Sequence, residues 1–137
     1  MIRRLLHISV YVLDQDRAKA FYTEKLGFEL RSDVTMGDFR WLTVGPQSQP
    51  DLNLVLMPIR AGAMMPEDAC AKLRSLVEGG YLGAGVFETT DCKKTYEELR
   101  SRGVVFKQEP SERPYGIEAV FRDDSGNWFS LTERRRM

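Results

Sequence analysis

The chain has 137 residues, in which 20 Lys plus Arg balance 20 Asp plus Glu, so the formal net charge is zero. That length holds one compact domain or two very small fused units, and the charge balance argues against a nucleic acid or a membrane surface as partner. No apolar run approaches the roughly 20 residues of a membrane span, and the start lacks a signal peptide's long apolar region. Two cysteines, Cys70 and Cys92, without metal-type spacing, make a reducing cytoplasm the expected compartment.

In chain order, residues 5–13 alternate, with Ile8, Val10 and Val12 on one side and His7, Ser9 and Tyr11 on the other, which predicts a strand with two different faces. Asp14 is a natural N-cap, because its carboxylate can accept from the free amides of a first helical turn. Ala18, Phe21, Tyr22 and Leu26 then recur at helical spacing, and Gly27 stops the helix. Extended runs follow at about 28–35, 39–45 and 52–58, rich in β-branched and aromatic residues. Pro66 opens a connecting helix whose inner stripe is Ala69, Leu73, Leu76 and Val77, stopped by Gly79 and Gly80. Then come a strand over 85–90, Asp91 as cap, a helix burying Thr95, Tyr96 and Leu99, and Gly103 as stop. Three more extended runs, at about 104–108, 117–122 and 127–133, close the chain.

The second series copies the first. Asp14 to Asp91 is 77 positions, Gly27 to Gly103 is 76, Gly37 to Gly116 is 79 and Leu54 to Leu131 is 77. Four landmarks in one order at nearly one offset point to two copies of a single unit. The expected fold is therefore α+β within one domain over 1–137: a βαβββ module at 5–58, a helical connector at 59–82 and a second βαβββ module at 83–133. A four-stranded sheet with helices on one face leaves the other face open, and two such sheets can curl around a shared cavity.

Alternation lists the residues of that second face. His7, Ser9 and Tyr11 come from the first strand, and Asn53, Val55 and Met57 from the strand closing module one. Module two offers Ala84, Val86 and Glu88, then Trp128, Ser130 and Thr132. The opposite positions, including Ile8, Val10, Leu52, Leu54, Phe129 and Leu131, are apolar and belong against the helices. Aromatic, polar and small groups mixed on one face suit a small-molecule pocket, in which apolar walls supply burial and a few polar groups fix orientation.

The runs His7-Ile-Ser-Val-Tyr-Val-Leu-Asp14, Ala18-Lys-Ala-Phe-Tyr22 and Lys25-Leu-Gly-Phe28 resemble the opening of the vicinal oxygen chelate superfamily. That superfamily includes glyoxalase I, bleomycin-resistance proteins and extradiol dioxygenases. Phe121-Arg-Asp-Asp-Ser-Gly-Asn-Trp-Phe-Ser-Leu131 resembles its closing turn and final strand. The resemblance implies curled sheets of the glyoxalase/bleomycin-resistance/dioxygenase type with helices outside, and a homodimer whose partners cover exposed sheet edges. It also implies four metal-ligand positions, which fall here on His7, Asn53, Ala84 and Ser130. One imidazole, one amide oxygen, one hydroxyl and one methyl group make a poor donor set for a divalent ion.

His7 is the only histidine, so a two-histidine site would need a second chain. The leading expectation is a bleomycin-resistance-like protein that binds an apolar or aromatic small molecule without a metal or other cofactor. The alternative is a lyase, isomerase, dioxygenase or transferase using one divalent metal ion on His7 and Asn53, and a third reading is an interaction domain with no ligand. The candidate ligand-binding residues are His7, Tyr11, Trp41, Asn53, Met57, Tyr115, Trp128 and Ser130. Arg40 and Arg122 could pair with an anionic ligand group. Core filling is the expected role of Met57, Met64 and Met65. Cys92 lies at a helix N-terminus, which would lower its pKa, but on the side away from the cavity. Arg134, Arg135 and Arg136 read as a solvated tail.

Overall fold

A computed structural model describes residues 1–135. Alternating burial produces β1 (His7–Val12), whose Val10 and Val12 are buried while His7 and Ser9 are exposed. Asp14 then accepts from the Arg17 backbone amide at 2.9 Å and starts α1 (Gln15–Ala20), which runs on through a wide π-type turn over Phe21–Lys25. Strands β2 (Glu29–Met36), β3 (Phe39–Gly45) and β4 (Asn53–Pro58) complete a sheet ordered β1-β4-β3-β2, with β1 parallel to β4. After α2 (Glu67–Glu78), the second half repeats the plan with β5 (Gly83–Glu88), α3 (Cys92–Ser101), β6 (Val105–Arg113), β7 (Gly116–Arg122) and β8 (Trp128–Arg134). Its order is β5-β8-β7-β6, again with the first and last strands parallel, and Asp91 caps α3 through the Lys94 amide at 3.1 Å. The fold is two mixed four-stranded sheets with the helices outside and no closed barrel. No helix among the described residues is long and apolar enough to cross a membrane.

The oily faces of both sheets share one core. Val10, Val12, Leu42, Leu54 and Leu56 from the first half and Ala119, Phe121, Phe129 and Leu131 from the second belong to the same buried cluster. Aromatic rings join the halves: Phe28 meets Phe87 edge-on at 5.3 Å between centroids, and Phe87 lies 4.8 Å from Phe129. Offset and edge-on pairs of this kind add to the area they bury.

A polar bolt closes the same seam. The Asp123 carboxylate accepts from the backbone amides of Ser125, Gly126 and Asn127 at 2.9–3.0 Å and from the Tyr22 hydroxyl at 2.6 Å. The turn so formed reaches back to β1: Ser125 Oγ accepts from the Leu13 amide at 2.9 Å, and Asn127 Nδ2 donates to the Tyr11 carbonyl at 2.8 Å. Burying these polar groups is tolerable because each has a partner.

Four expectations need correction. Ile8 is 43% exposed, because β1 is a sheet edge and its N-terminal end runs past the core. Leu76 is exposed at 47%, and Cys70 takes its place beside Leu73 and Val77, since the inner stripe of α2 lies one residue round from the predicted one. Ala84 is the extra residue of a bulge between Gly83 and Gly85, which turns it toward the apolar core and away from the second face. β6 runs to Arg113 rather than stopping near 108, carrying Pro110 without loss because an edge strand leaves one side of its backbone unpaired.

Candidate functional site

The second faces form two concavities within the chain, each lined by one half. In the first sheet, His7 stands opposite Asn53, Ser9 opposite Val55, and Tyr11 opposite Met57. Leu42 and Val44 of β3 point into the core, so Phe39, Trp41 and Thr43 share the face with His7. The His7 ring meets the edge of Trp41 at 5.2 Å, and Trp41 lies 6.5 Å from Phe39. Tyr11, Phe39, Met57, Met64 and Met65 line a cavity of about 350 Å³, with Arg60 and Asp38 paired at 2.8 Å on its edge. Met64 is fully exposed there rather than filling the core, whereas Met65 packs beside the small cluster under α2.

In the second sheet, a cavity of about 490 Å³ is lined by Val86, Glu88, Tyr115, Glu118, Ser130, Thr132 and Arg134. Tyr115 stands in the tight turn between β6 and β7, from which it lines this cavity. Glu118 is the polar centre. It accepts from Ser130 Oγ at 2.6 Å and from the Tyr115 hydroxyl at 2.8 Å, with Arg113 Nε at 3.5 Å. Burial pushes the Glu118 carboxyl up, but the hydrogen bonds from Ser130, Tyr115 and Arg113 outweigh it and leave it below its ordinary value. The same hydrogen bond to Glu118 is the main cause that raises the Tyr115 phenol. Ser130 Oγ lies 2.8 Å from Thr132 Oγ1, and both residues are buried. At the rim, Arg134 Nε is 2.5 Å from Glu88.

Sequence reasoning offered His7, Tyr11, Trp41, Asn53, Met57, Tyr115, Trp128 and Ser130 for one cavity; the first five stand on the first sheet, Trp128 and Ser130 on the second, and Tyr115 in the turn between β6 and β7. The structure does not bring the two groups around one hollow. Trp128 lies at the start of β8, its ring so close over Gly83 that a Cβ there would sit 2.6 Å from Cζ2. Glu118 was missed, although the alternation that puts Phe121 and Ala119 in the core, carried one step further back along β7, places residue 118 on the opposite face. Phe39 was missed in the same way on β3.

Other candidates have structural work. Arg40 holds Asp33 with two bonds of 2.8 and 2.9 Å and Asp16 with one of 2.6 Å, so its guanidinium is fully engaged with neighbouring carboxylates. Those hydrogen bonds, with one from Lys19, hold the Asp33 carboxyl well below the usual range. Arg122 closes β7 opposite Trp128. Cys92 is buried at the start of α3, and burial raises its thiol pKa, the reverse of the lowering that its helix-terminal place alone would give. Of the basic tail, Arg134 pairs with Glu88 and Arg135 with Glu112 at 2.6 Å, while Arg136 lies outside the described residues.

The residues present do not fit a divalent ion. His7 and Asn53 are neighbours, but the matching places in the second half are Ala84, turned to the core, and Ser130, bound to Glu118. Among the described residues no group of three or more His, Cys, Asp or Glu is placed to hold a metal.

Paired βαβββ halves with open, mixed second faces place the chain among the curled-sheet proteins built from two such modules. The model of the glyoxalase/bleomycin resistance protein/dioxygenase superfamily matches residues 4–131, and the chain belongs to that superfamily. Among solved structures it is similar to UcmS2, at 53% identity with 97% of this chain and 99% of that one covered and a TM-score of 0.91. It is also similar to TnmS3, an antibiotic-binding protein from Streptomyces sp. CB03234, at 32% identity over 98% of both chains with a TM-score of 0.77. The uncharacterized protein YetH of Bacillus subtilis is 37% identical over 97% of this chain and all of its own length.

Proposed function

We propose that the protein binds an aromatic, largely apolar small molecule of the antibiotic class, holds it without a metal, and does so as a homodimer. The observation that carries this reading is the cavity of the second sheet. Val86 and the Tyr115 ring give it apolar surface beside a polar floor whose groups bond one another, and the family's metal positions in that half are a core-facing alanine and a hydroxyl committed to Glu118. Likeness to an antibiotic-binding protein over nearly the whole chain supports the ligand class. A net charge of zero offers little attraction to a polyanion such as nucleic acid.

The homodimer reading is supported by the sheet orders. β1 and β5 are edge strands, and Leu5, Leu6, Ile8 and Val86 near them are exposed apolar groups. Such edges are ordinarily covered. A second copy that placed its first sheet against this chain's second sheet would close the two separate hollows into larger ones.

Calorimetric titration with a panel of aromatic antibiotics, alongside elemental analysis of the purified protein, tests the proposal. Saturable binding of at least one compound by metal-free protein is expected. A stoichiometric metal that survives dialysis, or binding that requires added Ni, Zn, Mn or Fe(II), would overturn it in favour of a metal-dependent enzyme built on the adjacent His7 and Asn53.

A further inference from the structure

The polar floor of the second-sheet cavity has a direction. An ionised carboxylate only accepts hydrogen bonds, whereas a hydroxyl has a single proton to give. Ser130 therefore donates its proton to Glu118 Oε2 at 2.6 Å. The 2.8 Å contact between Ser130 and Thr132 is geometrically open to either donor, but Ser130 has none left, so Thr132 donates to Ser130. Tyr115 donates its phenolic proton to Oε1 at 2.8 Å. Arg113 is also turned inward, with Nε toward Glu118 at 3.5 Å and its terminal nitrogens bound to Gln108 Oε1 at 3.0 Å and the Glu112 carbonyl at 3.4 Å. All three hydroxyl protons of the floor thus run toward one carboxylate. What these lining groups have left to offer a ligand is lone pairs, on Thr132 Oγ1, Ser130 Oγ, the Tyr115 oxygen and Glu118 itself.

We propose that this cavity selects ligands that present hydrogen-bond donors, such as a phenolic hydroxyl, an N–H or an ammonium, on an otherwise aromatic body, and discriminates against ligands that present only acceptors. Glu118 sets the selection by orienting the hydroxyl chain, and Thr132 and Ser130 deliver it. An acceptor placed against this floor meets only other acceptors, and a buried polar group without a partner costs more than a hydrogen bond gains. The inference rests on the ligand-binding reading above and narrows the chemistry of that ligand. Arg134, the remaining donor-bearing side chain of the lining, is at the rim and faces Glu88.

The test uses a naphthalenediol and its dimethyl ether, which share a ring system and differ in having donors or only acceptors. Fluorescence titration of the full chain should show the diol binding about tenfold more tightly than the ether, the upper end of what one hydrogen bond to a neutral acceptor contributes. Amide chemical-shift changes should centre on Ser130 and Thr132. In Glu118→Gln, whose amide brings protons of its own, the preference should fall to about twofold or less. Thr132→Val, which removes the terminal lone pairs while keeping the shape, should weaken the diol and spare the ether, so the inference does not depend on one variant folding. Equal affinity for both probes with shifts at Ser130 and Thr132 overturns the inference and leaves the ligand-binding reading intact. So does failure of both probes when the antibiotic panel binds. Failure of both probes and of the panel overturns the two together.

Discussion

Both carboxylate oxygens of Asp124 are shut away from solvent without a hydrogen-bond donor. Burial and the neighbouring Asp123 charge push its pKa up to about 6, with Asp14 adding to the rise and Arg17 opposing it. The folded protein therefore takes up a proton there that the unfolded chain, with an ordinary value of 3.8, does not. The stability linked to that proton is present in full below about 3.8 and is lost as pH rises through about 6. Asp124→Asn should raise stability at pH 7.5 by about 1–2 kcal/mol and leave it unchanged near pH 3.5, read from urea melts at both pH values. A gain of equal size at both would show that the charge is not the cause. Residue-scale legibility was mixed. Alternation placed His7 and Ser130 on their faces, but nothing in the sequence marks Asp124 as orphaned while Asp123, beside it, accepts five hydrogen bonds from four residues, because that depends on which way the turn is wound.

At the scale of elements, the same turn packs close against the last turn of α2. Gly126 has φ of +122°, and a Cβ there would lie 2.0 Å from the Val77 carbonyl oxygen. Gly37 also has a positive φ, +63°, but an added Cβ would meet nothing within 4 Å. Gly126→Ala should therefore cost roughly 3 kcal/mol and lower Tm by about 10 °C, while Gly37→Asn should cost about 1 kcal/mol or less. Thermal melts of both variants check this, and similar losses at the two sites would refute the role given to the Val77 contact. Helix caps at Asp14 and Asp91 and the strands of both modules were readable because each rests on local chemistry and a short period. The bulge at Ala84 was not, since one added residue inverts the facing of everything before it. The stripe of α2 was misread for a related reason: Leu76 and Cys70 are both plausible inner residues, and only packing in the small cluster with Ile59 and Val77 chooses Cys70.

For the whole molecule, the repeat offset correctly implied two sheets of one topology, β1-β4-β3-β2 and β5-β8-β7-β6. How the halves meet was not legible, because it depends on rings at Phe28, Phe87 and Phe129 that each look like ordinary core residues of their own module. Those contacts join the oily faces and leave the mixed faces as separate hollows, which is the reason a second copy is proposed. Sedimentation equilibrium should give twice the 15.7 kDa chain mass. Ile8→Asp, at an exposed apolar position of the β1 edge, should shift the protein toward the single-chain mass with an unchanged circular dichroism spectrum. A wild-type protein that sediments at the chain mass under the conditions of ligand binding would remove the dimer from the proposal.

The bolt between β1 and the 123–127 turn spans 112 positions, from the Leu13 amide to Ser125. During synthesis β1 emerges well before that turn, yet its Tyr11 carbonyl and the Leu13 amide just after it stay without these mates until the turn itself has been made. A nascent first half would hold Phe28 bare and its seam open, so cutting the gene within the connector should yield two fragments that are each poorly folded and regain order only on mixing.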